Sequence, residues 1–205
     1  MLTIIDYGMG NVGSIKNMLK KAGYNSVITS QISEIKNATK LILPGVGSFD
    51  NGIKQLFNLN LTDVLNEKIL NEKTPVMGIC LGMQLMTKNS EEGKLSGLGW
   101  LNAKTIRFNF NQDYSLKIPH MGWNSVKIEK KSKIFQDMYD GENRFYFVHS
   151  YHVLCDNQED ILTSTFYGYN FTSGFERDNI IGVQFHPEKS HKFGMQLLKS
   201  FAKNF

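Results

Sequence analysis

The chain has 205 residues, of which 41% are hydrophobic and 20% charged, and this composition predicts one globular domain with a full hydrophobic core. No apolar run reaches the roughly 18 residues of a membrane span. The first residues carry no basic region of a signal peptide, so we expect a cytoplasmic protein with no membrane partner. The net charge of +4 comes from scattered lysines with one local cluster at 127–133. Basic and aromatic residues do not alternate there, so we interpret it as a solvated loop and expect no nucleic-acid partner.

The first half of the sequence predicts strands that alternate with helices, on the basis of short apolar runs and of apolar residues at helical spacing. Buried strands are predicted at 2–5, 24–29, 40–43 and 76–79. Helices are predicted at 11–23, 49–57, 61–71 and 81–88.

Beyond residue 93 the pattern changes to short alternating runs, which indicate antiparallel strands. These runs lie at 105–108, 125–128, 144–149 and 161–165. A final strand at 180–185 and a helix capped by Ser190 complete the chain. We therefore predict an α/β fold of one domain over residues 1–205: a mostly parallel open sheet flanked by helices, with an added antiparallel section.

The most informative motif is Gly78-Ile79-Cys80-Leu81-Gly82, at the junction of a predicted strand and a predicted helix. A nucleophile on a sharp strand-to-helix turn needs small neighbours, because the turn is tight and the substrate must approach closely. The N-terminus of the helix would favour the thiolate of Cys80 over the thiol. A buried structural cysteine is the alternative interpretation, since free cysteines are commonly buried.

A second motif, Gly45-Val46-Gly47, follows the predicted strand at 40–43. Glycines at such a place let the backbone turn its N–H groups toward a ligand. The loop is therefore either part of an oxyanion hole or a tight turn that needs glycine for steric reasons, and the motif alone favours neither.

His186 and Glu188 follow the last predicted strand and, two apart in an extended segment, point to the same side. The carboxyl ends of the strands in an α/β sheet meet at the edge where ligands bind, which would bring this pair to Cys80. Cys80 would attack an amide or ester carbonyl, with His186 as general acid and base and Glu188 as its orienting partner. Backbone N–H groups of Leu81 and of the glycine loop would hold the oxyanion.

Taken together, residues 78–84 and Phe185-His186-Pro187-Glu188 resemble the class I, triad-type glutamine amidotransferases, whose fold is flavodoxin-like and whose glutaminase domains hydrolyse glutamine and pass ammonia to a partner. The resemblance implies Cys80, His186 and Glu188 as the catalytic triad. It implies oxyanion or substrate-binding roles for Gly45, Val46, Gly47, Leu81, Gln84, Ser150 and Tyr151. We expect no cofactor, and we expect no metal site because the other histidines are scattered in the sequence, at 120, 149, 152 and 191.

Within that family, the segments 5–11, 43–49, 119–124 and 186–190 are similar to the glutaminase subunits of imidazole glycerol phosphate synthases. The similarity implies a heterodimer with a (β/α)8-barrel cyclase. That cyclase uses the ammonia in histidine biosynthesis to form imidazole glycerol phosphate and an aminoimidazole carboxamide ribotide. The similarity also places Trp123, Tyr146 and Lys189 on the face that meets the cyclase, although core packing is the alternative for the two aromatic residues.

Three alternatives stay open. Segments 97–100, 149–152 and 190–194 resemble a paralogous branch that supplies ammonia to amidotransferases of bacterial surface sugars. A cysteine peptidase or a related thiol protein on a similar sheet is a second alternative, against which Gln84 and the glycine loop argue. A catalytically silent module that only binds a barrel partner is the third. We also predict little glutaminase activity from the chain alone, because Gly45 and Gly47 permit a peptide flip that a partner could control.

Overall fold

The structure is a computed structural model that describes residues 1–110, 116–139 and 141–205. The strands are β1 Leu2–Ile5, β2 Ser26–Thr29, β3 Lys40–Gly45, β4 Val76–Cys80, β5 Ala103–Arg107, β6 His120–Ile128, β7 Asn143–His149, β8 Tyr151–Cys155, β9 Ile161–Tyr167, β10 Tyr169–Arg177 and β11 Ile180–Val183. The α-helices are α1 Val12–Lys21, α2 Ile32–Lys36, α3 Phe49–Asn58, α4 Leu61–Asn66, α5 Leu81–Leu85 and α6 His191–Asn204. A π-helical segment, Glu67–Asn71, continues α4. The predicted α/β class is confirmed.

The parallel half of the sheet has the strand order β2-β1-β3-β4-β11, which is the order of a flavodoxin-like sheet. Successive residues of its strands pack on opposite faces, as the pleat requires. In β3, Leu41 and Leu43 join the apolar cluster under α3 to α5, whereas Ile42 joins the cluster under α1 and α6. Helices therefore cover both faces, and the carboxyl ends of the strands stay open.

The antiparallel section begins where β10 pairs with β11. β10 pairs with both β9 and β8, and the section continues from β9 to β6 and β7 and from β8 to β5. The sequence did not predict β8 and β10, because buried polar residues such as His152, Thr172 and Ser173 interrupt their apolar alternation. The five-residue helix α2 was also missed, since it is too short to show a helical period.

The helix after Cys80 is shorter than predicted and ends at Leu85 rather than at residue 88. Its last carbonyl groups are used by the returning chain: Leu98 N–H donates to Leu85 O at 2.8 Å and Leu101 N–H donates to Met86 O at 3.1 Å. The segment 97–101 thus replaces the next helical turn. None of the helices in the described ranges combines the length and the apolarity that a bilayer crossing needs.

Candidate active site

Cys80 is the last residue of β4 and directly precedes α5, with φ 54° and ψ −111°. A non-glycine residue with positive φ is strained, and such residues cluster at functional sites. The turn is also tight: a Cβ atom at Gly82 would lie 1.8 Å from the carbonyl oxygen of Leu43, so only glycine fits there. The strand-to-helix elbow predicted from the sequence is therefore present, and it exposes 7% of Cys80.

The glycine loop lies beside this elbow, because Gly45 is the register partner of Cys80 in the β3–β4 pair. Gly47 has φ +108°, a conformation that L side chains rarely adopt, and Val46 is 45% exposed. Leu81, as the first residue of α5, has a backbone N–H without an acceptor inside the helix. Two sets of backbone N–H groups thus lie at the same edge as the Cys80 sulfur.

His186 and Glu188 form a buried pair at that edge. The Nδ1 atom of His186 lies 2.8 Å from Oε1 of Glu188, and both side chains are 2% exposed. The His186 backbone N–H donates to Tyr146 O at 2.9 Å, which fixes the segment against β7. Burial disfavours the charged imidazole, but the nearby Cys80 sulfur and the Glu188 carboxylate outweigh it and hold the pKa of His186 above its usual value. The pair can therefore accept and keep a proton from Cys80.

A cleft of about 540 Å³ opens above the elbow, a volume suited to a small molecule. Of the residues that the sequence singled out, it is lined by Val46, Gly47, Cys80, Leu81, Gln84, Ser150, Tyr151, His186 and Lys189. Gly45 and Glu188 lie outside the lining, where they contact Cys80 through the sheet and His186 through its ring. The structure thus brings the predicted site residues to one place.

Two polar residues in or below the cleft were not predicted from the sequence. Glu92 lines the cleft and its Oε2 accepts from the Phe49 N–H at 2.8 Å, at the N-terminus of α3. Gln184 lies below the cleft and directs its Nε2 at the Cys80 sulfur, 3.7 Å away. Glu92 reaches the cleft because the chain folds back after α5. No local sequence pattern predicts that reversal. Gln184 has the same spacing from His186 as Glu188, and that was its only signal.

Of the histidines that are scattered in the sequence, the fold brings His120 and His149 together, whereas His191 stacks on Trp123. His120 and His149 are register partners on β6 and β7, with Nδ1 of His120 3.0 Å from Nε2 of His149. His149 Nδ1 donates to Tyr151 O at 2.7 Å. Burial lowers the pKa of His120 to about 4 and that of His149 well below its usual value, so both are neutral. Within the described ranges, no three His, Cys, Asp or Glu side chains are grouped as metal ligands.

The three residues predicted to face a partner are neighbours beside His186. Trp123 is 39% exposed and stacks on His191 with 5.5 Å between ring centroids, so its alternative as a core residue is excluded. The half-buried Tyr146 contacts Trp123 edge-on at 6.4 Å, and Lys189 Nζ lies 5.8 Å from the Tyr146 ring centroid. Ser190 directly precedes α6, but its hydroxyl does not cap the helix as predicted. The hydroxyl accepts from the Tyr146 N–H and donates to the His186 carbonyl. This aromatic face is thus tied to the His186 backbone.

A strained cysteine with a buried imidazole–carboxylate pair, at the ligand edge of a flavodoxin-like sheet, is the arrangement of a cysteine-dependent enzyme that attacks a carbonyl. Comparison with family models supplies the class: the model for glutamine amidotransferase class-I matches residues 3–205. The chain belongs to the class I glutamine amidotransferase family.

Within the family, the chain is similar to subunits of one named synthase. It is 57% identical over 203 residues to imidazole glycerol phosphate synthase subunit HisH 2 of Methanococcus maripaludis, with 99% of each chain covered. It is 47% identical over 203 residues to the subunit HisH 2 of Pseudomonas aeruginosa, again with 99% of each covered. Among solved structures, a chain of PurLQS from Thermotoga maritima shares the fold with a TM-score of 0.74 at 16% identity, over 98% of this chain and 96% of that chain.

Proposed function

We propose that residues 1–205 form one glutaminase domain that hydrolyses glutamine to glutamate and ammonia at Cys80, in the cytoplasm, and supplies the ammonia to a partner subunit. The observation that carries the proposal is the strained Cys80 elbow beside the buried His186–Glu188 pair. A structural cysteine needs neither the strain nor a polarised imidazole.

Acylation is the first chemical step. His186 takes the Cys80 proton, and the sulfur attacks the side-chain carbonyl carbon of glutamine. The oxyanion that forms accepts hydrogen bonds from the N–H of Leu81 and from the Val46–Gly47 loop. His186 then gives its proton to the leaving nitrogen, so the C–N bond breaks, ammonia departs and a glutamyl thioester remains on Cys80.

Deacylation reuses the same groups. A water molecule attacks the thioester carbonyl while His186 takes its proton, the C–S bond breaks, and glutamate leaves with the thiolate restored. Glu188 stabilises the imidazolium in both halves through the 2.8 Å contact with Nδ1. We therefore assign Cys80, His186 and Glu188 as the catalytic triad.

Substrate recognition falls to the rest of the cleft. The half-buried carboxylate of Glu92 complements the α-ammonium group of glutamine. Gln84, which is 5% exposed, faces the substrate from α5, and Ser150 and Tyr151 flank it from the start of β8. These groups select a small amino-acid substrate rather than a peptide, which disfavours a cysteine peptidase.

The aromatic face of Trp123, Tyr146 and Lys189 is proposed as the docking surface for a (β/α)8-barrel cyclase, forming a heterodimer. The similarity to imidazole glycerol phosphate synthase subunits supports a cyclase of histidine biosynthesis as this partner, which would form imidazole glycerol phosphate and an aminoimidazole carboxamide ribotide. Because the Tyr146 carbonyl accepts from the His186 N–H, a partner on this face is one residue away from the catalytic base. Docking can thereby raise a low activity of the isolated chain.

The test is glutamate release from glutamine, with and without the histidine-pathway cyclase of the same cell and its ribotide substrate. We expect slow release by the chain alone and strong stimulation by both additions. Cys80→Ala should abolish release while it still binds the cyclase, and the matched control Cys155→Ser, at the other buried free cysteine, should retain it. Full activity of Cys80→Ala would disprove Cys80 as the nucleophile. Glutamate release by the unmodified chain that is lost in Cys80→Ala would exclude a silent binding module.

A second pathway is favoured by one observation: the relatives from M. maripaludis and P. aeruginosa are both named subunit HisH 2. The numeral fits the alternative of a paralogous glutaminase that supplies ammonia to an amidotransferase of surface sugars, with a different cyclase-like barrel. A chain that reacts at Cys80 with a glutamine-like electrophile, and yet is not stimulated by the histidine-pathway cyclase, would identify this branch.

A further inference from the structure

Gln184 is a buried residue that connects the nucleophile to the substrate side of the cleft. It follows β11 directly, is 0% exposed, and its backbone N–H donates to Ser173 O at 2.9 Å. Its side-chain Nε2 lies 3.7 Å from Cys80 Sγ, and its Oε1 lies 3.0 Å from Gln84 Nε2. One carboxamide therefore contacts both the reacting sulfur and a cleft residue.

The direction of these hydrogen bonds follows from Gln84. Its Nε2 donates both to Tyr151 O at 3.1 Å and to Gln184 Oε1, so both of its hydrogens are used. An oxygen of Gln184 must accept from Gln84, which turns the NH2 group of Gln184 toward the sulfur. A donor aimed at sulfur stabilises the thiolate more than the thiol, because hydrogen bonds to an ionised acceptor are roughly twice as strong.

The same bonds orient Gln84 for the substrate. With its nitrogen held by Gln184 and by the Tyr151 carbonyl, Gln84 keeps its side-chain carbonyl oxygen as the group that can meet a ligand. An oxygen there accepts a hydrogen bond from glutamine, whose ammonium and carboxamide groups are both donors.

We propose that Gln184 is a further catalytic residue, which donates an N–H to the Cys80 thiolate and locks Gln84 as a hydrogen-bond acceptor for the substrate. The inference rests on the proposed glutaminase function. Gln184 transfers no proton; the proton of Cys80 still goes to His186. A buried amide that only fills space would contact neither the sulfur nor a cleft residue with its polar atoms.

The experiment measures the rate at which iodoacetamide alkylates Cys80 as a function of pH, in Gln184→Met and in Gln184→Glu. The first variant removes the donor at nearly constant volume. The pH at which Cys80 is alkylated at half its maximal rate, called the half-reaction pH, should rise by about one unit in this variant. The kcat/KM for glutamine of the partner-bound enzyme should fall about 10- to 100-fold. The second keeps an oxygen for Gln84 but puts an acceptor against the sulfur, so its half-reaction pH should rise at least as far. Gln184→Glu still tests the proposal if Gln184→Met does not fold.

The control is Ser150→Ala, at a cleft residue proposed to contact the substrate, which leaves both Gln184 and Gln84 unchanged. Its KM should rise, and its half-reaction pH should move by less than half the change in Gln184→Met. The alkylation that is lost in Cys80→Ala is the alkylation of Cys80. Cys155 should not react, because burial raises the pKa of that thiol to about 12.

The inference is overturned if both Gln184 variants, folded to the same unfolding temperature as the unmodified protein, keep its half-reaction pH and kcat/KM. It is also overturned if Ser150→Ala shifts the half-reaction pH as much as Gln184→Met. Alkylation does not require glutamine, so a wild-type chain that releases no glutamate would reject the proposed function while the effect of Gln184 on Cys80 is still decided.

Discussion

Two buried pairs of side chains, His186 with Glu188 and His120 with His149, reach the cleft through His186 and His149, and they are built for opposite charge states. His186 has a carboxylate at 2.8 Å and the Cys80 sulfur beside it, and its pKa is raised. His120 and His149 have each other, at 3.0 Å, and burial lowers the pKa of both. Both pairs are almost completely buried, so the difference in charge comes from the Cys80 sulfur and the Glu188 carboxylate, which only His186 has beside it. The first pair can do acid–base chemistry, whereas the second is a neutral support of the Tyr151 carbonyl.

We expect the largest effect from replacing His186, the histidine of the first pair. His186→Asn deletes the proposed general acid and base, and kcat for glutamine hydrolysis should fall about 10³-fold. His152→Asn, a buried histidine outside the cleft lining, is the control and should keep kcat within about two-fold. Steady-state glutamate release by the partner-bound enzyme measures both. Equal losses in the two variants would show that a fold defect, and not lost chemistry, is responsible.

Glu188→Gln should make the first pair resemble the second, by replacing the carboxylate with a neutral amide. The raised pKa of His186 keeps the imidazolium stable at neutral pH, and that stabilisation is lost as the pH rises through the folded-state pKa. Without the carboxylate the pKa falls, so the alkaline limit of activity should move to lower pH. We also expect kcat/KM to fall about 10- to 100-fold. The measurement is kcat/KM between pH 6 and pH 10, and an unmoved alkaline limit would contradict the role of Glu188.

The neutral pair should make folding stability sensitive to acid. Since the pKa of His120 is about 4 in the folded chain and 6.5 is its ordinary value, the unfolded chain binds protons first as the pH falls. Stability is complete above pH 6.5 and should drop by about 3 kcal/mol on reaching pH 4 from His120 alone. Urea unfolding between pH 8 and pH 4 measures the loss, which His120→Gln should reduce. The exposed His191 is the control, and His191→Asn should leave the pH dependence unchanged.

The smallest effect concerns His152, a histidine whose pKa is lowered by burial and whose ring contacts a hydroxyl. Tyr169 OH lies 2.8 Å from His152 Nε2, a nitrogen that is buried and needs a donor. Tyr169→Phe should lower the free energy of unfolding by about 1 kcal/mol. In Tyr167→Phe the lost partner is the exposed Lys117 carbonyl, so a smaller decrease is expected. A larger decrease in Tyr167→Phe would contradict a stabilising hydrogen bond between Tyr169 and His152.

Local motifs were predictable because their physics is local. The elbow at Cys80 needs small neighbours on a tight turn, and residues 78–82 show this directly in the sequence. The proximity of His186 and Glu188 was also predicted and the structure has it at 2.8 Å, although Pro187–Lys189 is a 3-10 helical turn and not the extended segment that the prediction assumed. The class of fold followed from apolar runs that alternate with helical patterns.

Features set by register or by a returning chain were not predictable. His120 and His149 are far apart in sequence and meet only because β6 and β7 pair in one register. Glu92 enters the cleft because the chain folds back after Leu85, and nothing around residue 92 indicates that turn. The strand β10 contains the buried residues Thr172 and Ser173, whose polarity makes its sequence resemble that of a loop.

The place of β11 in the sheet has a consequence for the order of biosynthesis. It lies between β4 and β10 and pairs Ile180 with Val76, so the two halves of the sheet are joined by the last of the described strands to be made. Cys80 leaves the ribosome long before His186 and Glu188, and pairing across so many residues is slow. A nascent or truncated chain that lacks β11 and the residues after it therefore carries the proposed nucleophile without its proposed base, and we expect it to release no ammonia.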